Sequence, residues 1–308
     1  MKYSLYPEVS KIVNKSIHIV GATRSGTTLF ETLVSSLKNV ECFDEPPMLR
    51  VLLPMIKELP RQEFKLLFNS YLFEERLMYS IPGRNINLNK KDMTSIYNSK
   101  PINEISKRIK KSYRRMEIYP IALKSNIAFK QVEVSQYLEK LIDYYPNFRT
   151  VLILRKPEGV ISSILKKQWF SNNQLYKNSG KWFFRKGKKW NMPDWLNSNE
   201  GKTFLKLKES ERAALYYINE YKNFKNILKK KNFSPIVLDY DIFTSDPNKI
   251  FNKITTKLDL KFGDLTNKIL KKVKENKKTK KINGLSFQSE LFTKATQLYY
   301  DCSNKILK

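Results

Sequence analysis

Soft metal ligands are nearly missing from these 308 residues: there are two cysteines, Cys42 and Cys302, and one histidine, His18. Two cysteines leave room for one bridge but exclude a disulfide framework and a cysteine-based zinc site. A single histidine excludes a histidine-rich centre, so no metal is expected. No apolar run reaches the roughly 20 residues of a membrane span. The first residues, MKYSLYPEVSKIVNKSIHIV, lack the apolar stretch of a signal peptide. A soluble, cytoplasmic protein is the expectation. Acidic side chains are also scarce, with 29 against 58 Lys and Arg, for a formal net charge of +29. That charge predicts attraction to nucleic acid, acidic polysaccharide, anionic membrane or multiply phosphorylated small molecules. An AT-rich genome, favouring Lys, Asn and Ile codons, accounts for it equally well. Hydrophobic residues at 41% and aromatics at 13% exclude a disordered chain.

The most informative absence is a single lysine. GATRSGTT, residues 21–28, has the glycines of a nucleotide-triphosphate loop, G-x-x-x-x-G-K-[ST], but Thr27 fills the lysine slot. SIHIVG before it reads as a buried strand, and TTLFETLVSSL after it has helical periodicity. Strand, loop and helix therefore stand in the order a phosphate cradle requires. Loop N–H groups and the positive helix end converge on an anion. Gly21 and Gly26 permit the tight backbone, Arg24 supplies a permanent planar charge, and Thr27 and Thr28 add hydroxyl donors.

The remaining chain alternates strands and helices. Residues 46–118 read mostly as helices punctuated by prolines, PIALK (120–124) as a short strand, and 132–145 as an amphipathic helix. RTVLILR (149–155) is the clearest buried strand, with a helix opening at Pro157 behind it. Residues 209–228 form a long helix, SPIVLDYD (234–241) a further strand, and a helix closes the chain. The pattern predicts an α/β fold of three layers, a central mostly parallel sheet flanked by helices, P-loop in type. One domain spans 1–308, with a basic, aromatic-rich helical or lid segment around 166–200. Residues 159–193 contain eight basic residues and no acidic one, and all four tryptophans fall between 169 and 195. Aromatic faces and lysines there suit an acceptor, or simply pack a subdomain. Residues 268–281 carry eight lysines against one glutamate.

VGATRSGTTLFETLV resembles the 5′-phosphosulfate loop of sulfotransferases that use 3′-phosphoadenosine 5′-phosphosulfate (PAPS). That family's 3′-phosphate site is a strand ending in arginine with a serine eight residues later. RTVLILRKPEGVISS supplies Arg155 and Ser163 at that spacing. SPIVLDYDIFTSDP is similar to the family's late tyrosine segment; Tyr240 matches the tyrosine, while Asp239 replaces the usual arginine. The resemblance implies that Thr23, Arg24, Ser25, Gly26, Thr27, Thr28, Arg155, Ser163 and Tyr240 bind PAPS as co-substrate. A lysine of 277–281 is expected at the 3′-phosphate.

Sulfuryl transfer to an alcohol needs in-line reactants, stabilised leaving oxygens and a base for the hydroxyl. His18, inside the first strand, reads as a core residue. A carboxylate then takes the proton. Glu45 stands 21 residues after Arg24, the spacing that the resemblance to tyrosylprotein- and heparan-type members implies for the base. Asp44 is its rival, and Glu31 is expected toward solvent. Arg24 and Lys124 are the candidates for leaving-group stabilisation. The expected function is a PAPS-dependent O-sulfotransferase that releases 3′,5′-ADP. Its acceptor is expected to be a hydroxyl-bearing, anionic carbohydrate, with a tyrosine peptide as the alternative. Two other readings remain: a P-loop kinase or ATPase, with IVLD (236–239) as a strand ending in an Mg²⁺-binding acid, and a polyanion or nucleic-acid binder without catalysis.

Overall fold

The computed structural model describes residues 4–176, 190–273 and 289–307. Five strands form one sheet: β1 (Ile17–Gly21), β2 (Val40–Asp44), β3 (Asn126–Gln131), β4 (Arg149–Leu154) and β5 (Ile236–Asp239). Their order is β2-β3-β1-β4-β5, and every pairing is parallel. Parallel strands need crossovers, and the helices between them cover both faces.

Alternation along each strand sorts the core into two layers. Ile17, Ile19, Val40, Ala128, Val151, Ile153 and Leu238 face one side, where the helices Thr27–Ser35 and Pro247–Leu258 pack. Val20, Phe43, Ile127, Phe129, Leu152, Leu154 and Val237 face the other. Helices Ser135–Tyr144, Pro157–Lys166, Glu209–Leu228 and Glu290–Ser303 lie there. The three-layer α/β expectation holds, and the sheet is wholly parallel among the described strands.

Two local expectations fail. PIALK is not a strand: it lies in the helix Arg115–Leu123, with Lys124 as its C-cap. The strand is the next segment, NIAFKQ, whose last five residues are buried. A run of three apolar residues fits either period, and Pro120 sits near the end of a short helix, where it breaks little. VECFD, unassigned from its sequence, is the edge strand β2.

The chain turns away from β1 in opposite directions. After β1 it runs to β2 and β3; after β4 it runs to β5. The helices following β1 and β4 pack on opposite faces. The crevice between the carboxyl ends of β1 and β4 is thus a topological switch point, where open α/β sheets bind ligands. No helix among the described residues is long and apolar enough to cross a membrane.

Candidate active site

The residues after β1 and β4 meet at that crevice. Gly26, at φ 94°, caps the N-terminus of helix Thr27–Ser35. The first N–H groups of the helix have no partner within it and point toward the loop, with the positive helix end behind them. The Tyr240 ring lies on the loop so closely that a Cβ on Gly26 would stand 2.0 Å from it. Only glycine fits both that contact and that backbone.

Arg24 is also left-handed, at φ 69°. A non-glycine residue held there costs on the order of 1 kcal/mol or more, and such strain collects at functional sites. Its Nε donates to Ser163 Oγ at 2.9 Å, and its guanidinium lies 5.5 Å from the Trp169 ring centre. Arg155 Nη1 donates to the Arg24 carbonyl at 2.8 Å, and its guanidinium covers the Tyr240 ring at 4.6 Å. Arg24, Arg155, Ser163 and Tyr240, far apart in sequence, form one cluster. Burial, and then the charge of Arg155, lower the pKa of Arg24. Two guanidiniums in one partly buried site call for an anion between them. Arg155 Nε is buried without a hydrogen-bond partner, and the Asp241 carboxylate stands 4.0 Å from it. Gly159 makes room: a Cβ there would lie 2.6 Å from Arg155 Nε.

Thr23 and Ser25 serve the loop itself. Ser25 is fully buried, and its Oγ and N–H both bond the Ala22 carbonyl, at 2.6 and 3.1 Å. The Thr23 N–H donates to Tyr216 Oη at 2.9 Å. Both residues thus hold the loop in its shape. Tyr216 belongs to a clamp that the sequence did not announce. Tyr217 and Tyr221, stacked at 4.0 Å on the same helix, bond the Arg155 carbonyl at 2.9 and 2.8 Å, and Tyr221 Oη also receives the Arg155 N–H. One helix, Glu209–Leu228, thus fixes both the loop and the arginine. The signal was there as tyrosines within one long helix, but the period shows only that they are buried.

The missing lysine charge comes from β3. Lys130 Nζ donates to Thr28 Oγ1 at 3.0 Å, pairs with Asp44 and lies 3.2 Å from Glu45 Oε1. Burial opposes its charge, but Asp44 and Glu45 outweigh it and raise its pKa. Lys124 is placed elsewhere: it precedes β3, beside Lys15 and Arg149 at the amino-terminal edge of the sheet. Lys130 stands six positions after Lys124, and β3 carries Lys130 to the loop and leaves Lys124 at the far end.

Glu45 reaches the site, again with a left-handed backbone, φ 37°. Arg50 holds its Oε2 at 2.7 Å. Burial would raise its pKa, but Lys130 and Arg50 together lower it. Glu31 is buried and not solvent-facing. Burial and the adjacent Asp44 push its carboxyl well above the usual range. His18 is a core residue as expected, stacked on Phe129 at 4.6 Å, and burial pushes its pKa down to about 3. Asp239 is buried, caps the next helix through Ile242 N at 2.8 Å and accepts from Tyr299 Oη at 2.7 Å. It is spent on structure, which removes the acid that a kinase reading needs. Trp190 and Trp195 pack against Phe204, at 6.2 and 5.7 Å, as core builders. Trp182 and the lysines of 277–281 lie outside the described residues.

The sulfotransferase family model matches residues 16–264. Two solved structures share the fold. A sulfotransferase domain from the curacin biosynthetic pathway superposes with a TM-score of 0.51 at 12% identity, covering 94% of this chain and 97% of that one. A sulfotransferase domain from the Synechococcus PCC 7002 olefin synthase superposes at 0.50 and 15%, covering 92% and 93%. At such identities the likeness is one of fold. No curated protein matches by sequence. With the family match spanning most of the chain and the strand–loop–helix cradle in place, the chain belongs to the sulfotransferase family.

Proposed function

We propose that the protein transfers the sulfuryl group of PAPS to a hydroxyl acceptor and releases 3′,5′-ADP. The observation that carries this reading is the meeting of two anion subsites, from loop and β4, through the Arg24–Ser163 and Arg155–Arg24 bonds. Arg24 and the first amides of helix Thr27–Ser35 hold the 5′-phosphosulfate. Arg155 and Ser163 hold the 3′-phosphate, and the Tyr240 ring closes the loop from above.

Charge builds on the leaving oxygens as the sulfur–oxygen bond to the 5′-phosphate breaks. This reading gives that charge to Lys130, bonded to Thr28, and to Arg24, since preorganised cations there lower the barrier most. The acceptor oxygen bonds to sulfur and loses its proton to the carboxylate pair that Lys130 organises. Glu45 is the member the family resemblance names; Asp44, held by one cation fewer, is the other. The chemistry uses no metal.

Calorimetric titration with 3′,5′-ADP and with 5′-ADP, with and without Mg²⁺, tests the donor. A Mg²⁺-independent preference for 3′,5′-ADP that Arg155→Ala abolishes supports the reading. Equal binding of both, or a Mg²⁺-dependent preference for 5′-ADP, overturns it. Comparing Glu45→Gln with Asp44→Asn in single-turnover transfer identifies the proton acceptor: the variant that loses the chemical step while keeping 3′,5′-ADP affinity names it.

A further inference from the structure

Beside the loop lies a cavity of about 230 Å³, between helix Thr27–Ser35, the outer edge of β2 and residues 76–100. Glu31 and Asp44 stand at its border with the loop, because both adjoin Lys130 and Lys130 reaches Thr28. Hydroxyls and amides line the remainder, among them Thr32, Ser35, Asn85, Asn87 and Thr94. Of its walls only Cys42, Phe43, Ile86 and Ile96 are apolar, and Arg76 covers the Phe43 ring at 4.9 Å. The side chains therefore offer no flat aromatic slot of the kind a phenol ring would fill.

Three acids, Glu31, Glu41 and Asp44, stand in its walls against two cations, Arg76 and Lys100, and further cations reach the acids from outside the lining. Arg108 takes both oxygens of Glu41, at 2.8 and 2.6 Å. Lys100 Nζ donates to the Leu37 and Val40 carbonyls, at 3.3 and 3.0 Å. Asp44 pairs with Lys130. Burial and Asp44 raise the pKa of Glu31, whose carboxyl shares a hydrogen bond with Asp44. What is left over is hydrogen-bonding capacity. Arg76 Nε is buried without a hydrogen-bond partner. Unmade bonds of this kind are costly in an empty protein and are met by a bound polar molecule.

From this geometry we infer that the cavity is the acceptor site of the proposed transferase and takes a neutral, hydroxyl-rich molecule the size of one sugar ring. The inference rests on the PAPS reading. It departs from the anionic polymer that a net charge of +29 suggests, because the walls of the cavity itself hold three acids against two bases. The volume falls below the roughly 300–1,000 Å³ of pockets for drug-sized ligands. Arg76 holds a ring or hydroxyl oxygen, and the hydroxyl nearest the loop faces Asp44, which lines the cavity, whereas Glu45 does not. In the step itself, that hydroxyl oxygen bonds to sulfur, the sulfur–oxygen bond to the 5′-phosphate breaks, and the proton passes to Asp44.

The test uses the full chain with radiolabelled PAPS and three acceptor sets: methyl glucoside, methyl mannoside and myo-inositol; heparan and chondroitin chains; and tyrosine peptides. Binding of 3′,5′-ADP is measured on the same samples. Transfer to a neutral member of the first set is expected, with KM raised at least tenfold in Asn87→Leu and in Arg76→Gln while 3′,5′-ADP affinity stays within twofold of wild type. Transfer only to the polymers or peptides, no transfer to the neutral set by protein that binds 3′,5′-ADP, or an unchanged KM in both variants overturns the inference. Failure of the wild type to bind 3′,5′-ADP overturns the donor reading, and this one with it.

Discussion

Two arginines sit at opposite ends of β4 and do different work. Arg149, at the start, is engaged at all three nitrogens: Nε bonds the Lys15 carbonyl, Nη1 the Leu258 carbonyl and Nη2 the Asn126 side chain, each at 2.8 Å. Arg155, just past the end, has one hydrogen bond from Nη1, a Tyr240 ring beneath it and a buried Nε that makes no hydrogen bond and only a long, 4.0 Å ion pair to Asp241. One guanidinium ties strands and helices together; the other is held in place by its backbone and keeps its donors in reserve. A satisfied charge is structural, and an unsatisfied one positioned by a clamp is poised for a ligand.

The largest expected effect breaks this comparison at the ligand end. Arg155→Ala should weaken 3′,5′-ADP about 10²–10³-fold, since it removes a charged partner from a desolvated site. Arg149→Ala should leave that affinity unchanged, as calorimetry on both variants would show. If both lose affinity alike, the distinction between the two ends is wrong. The lysines repeat the contrast along β3. Lys130→Ala should lower turnover about 10²-fold, and Lys124→Ala should not, in a PAPS-dependent transfer assay.

Stability should reverse the ranking of the arginines. Arg149→Ala should cost about 2–3 kcal/mol through three lost charge-assisted bonds, lowering Tm by roughly 3–5 °C in thermal denaturation. Arg155→Ala should move Tm far less. The smallest effect concerns pH. His18 stays neutral in the fold, with a pKa of about 3, whereas the unfolded chain binds that proton below about 6.5. Stability tied to His18 is whole above pH 6.5 and is lost as pH falls toward 3. Between pH 7 and pH 5 the loss is about 2 kcal/mol. His18→Phe should flatten the Tm-against-pH curve over that window; an unchanged slope would show that the imidazole does not stay neutral.

Much of the site was legible in local sequence because its signals are local. GATRSGTT announces a loop between strand and helix, and Arg155 and Ser163 share one strand–helix turn, where eight residues fix their spacing. Glu45 was legible as a residue near the loop, but not as one pinned by Arg50. Glu31 was misread because a helix carboxylate is usually solvated; β2 and the 76–100 segment cover this one. Lys130 was overlooked and Lys124 preferred because NIAFKQ and PIALK are short apolar runs that fit either period.

The sequence by itself determined the alternating strands and helices, the anion loop with its arginine, and the second arginine–serine pair. Hydrophobic period and loop chemistry are short-range properties, and they survive in any one window of the chain. Only the tertiary structure decided which lysine reaches the loop, which tyrosines clamp it and where a polar cavity opens. Those depend on strand order, which places β3 beside β1 and brings residues more than a hundred positions apart within hydrogen-bond reach. No local pattern encodes that order; it follows from burying both faces of the sheet at once.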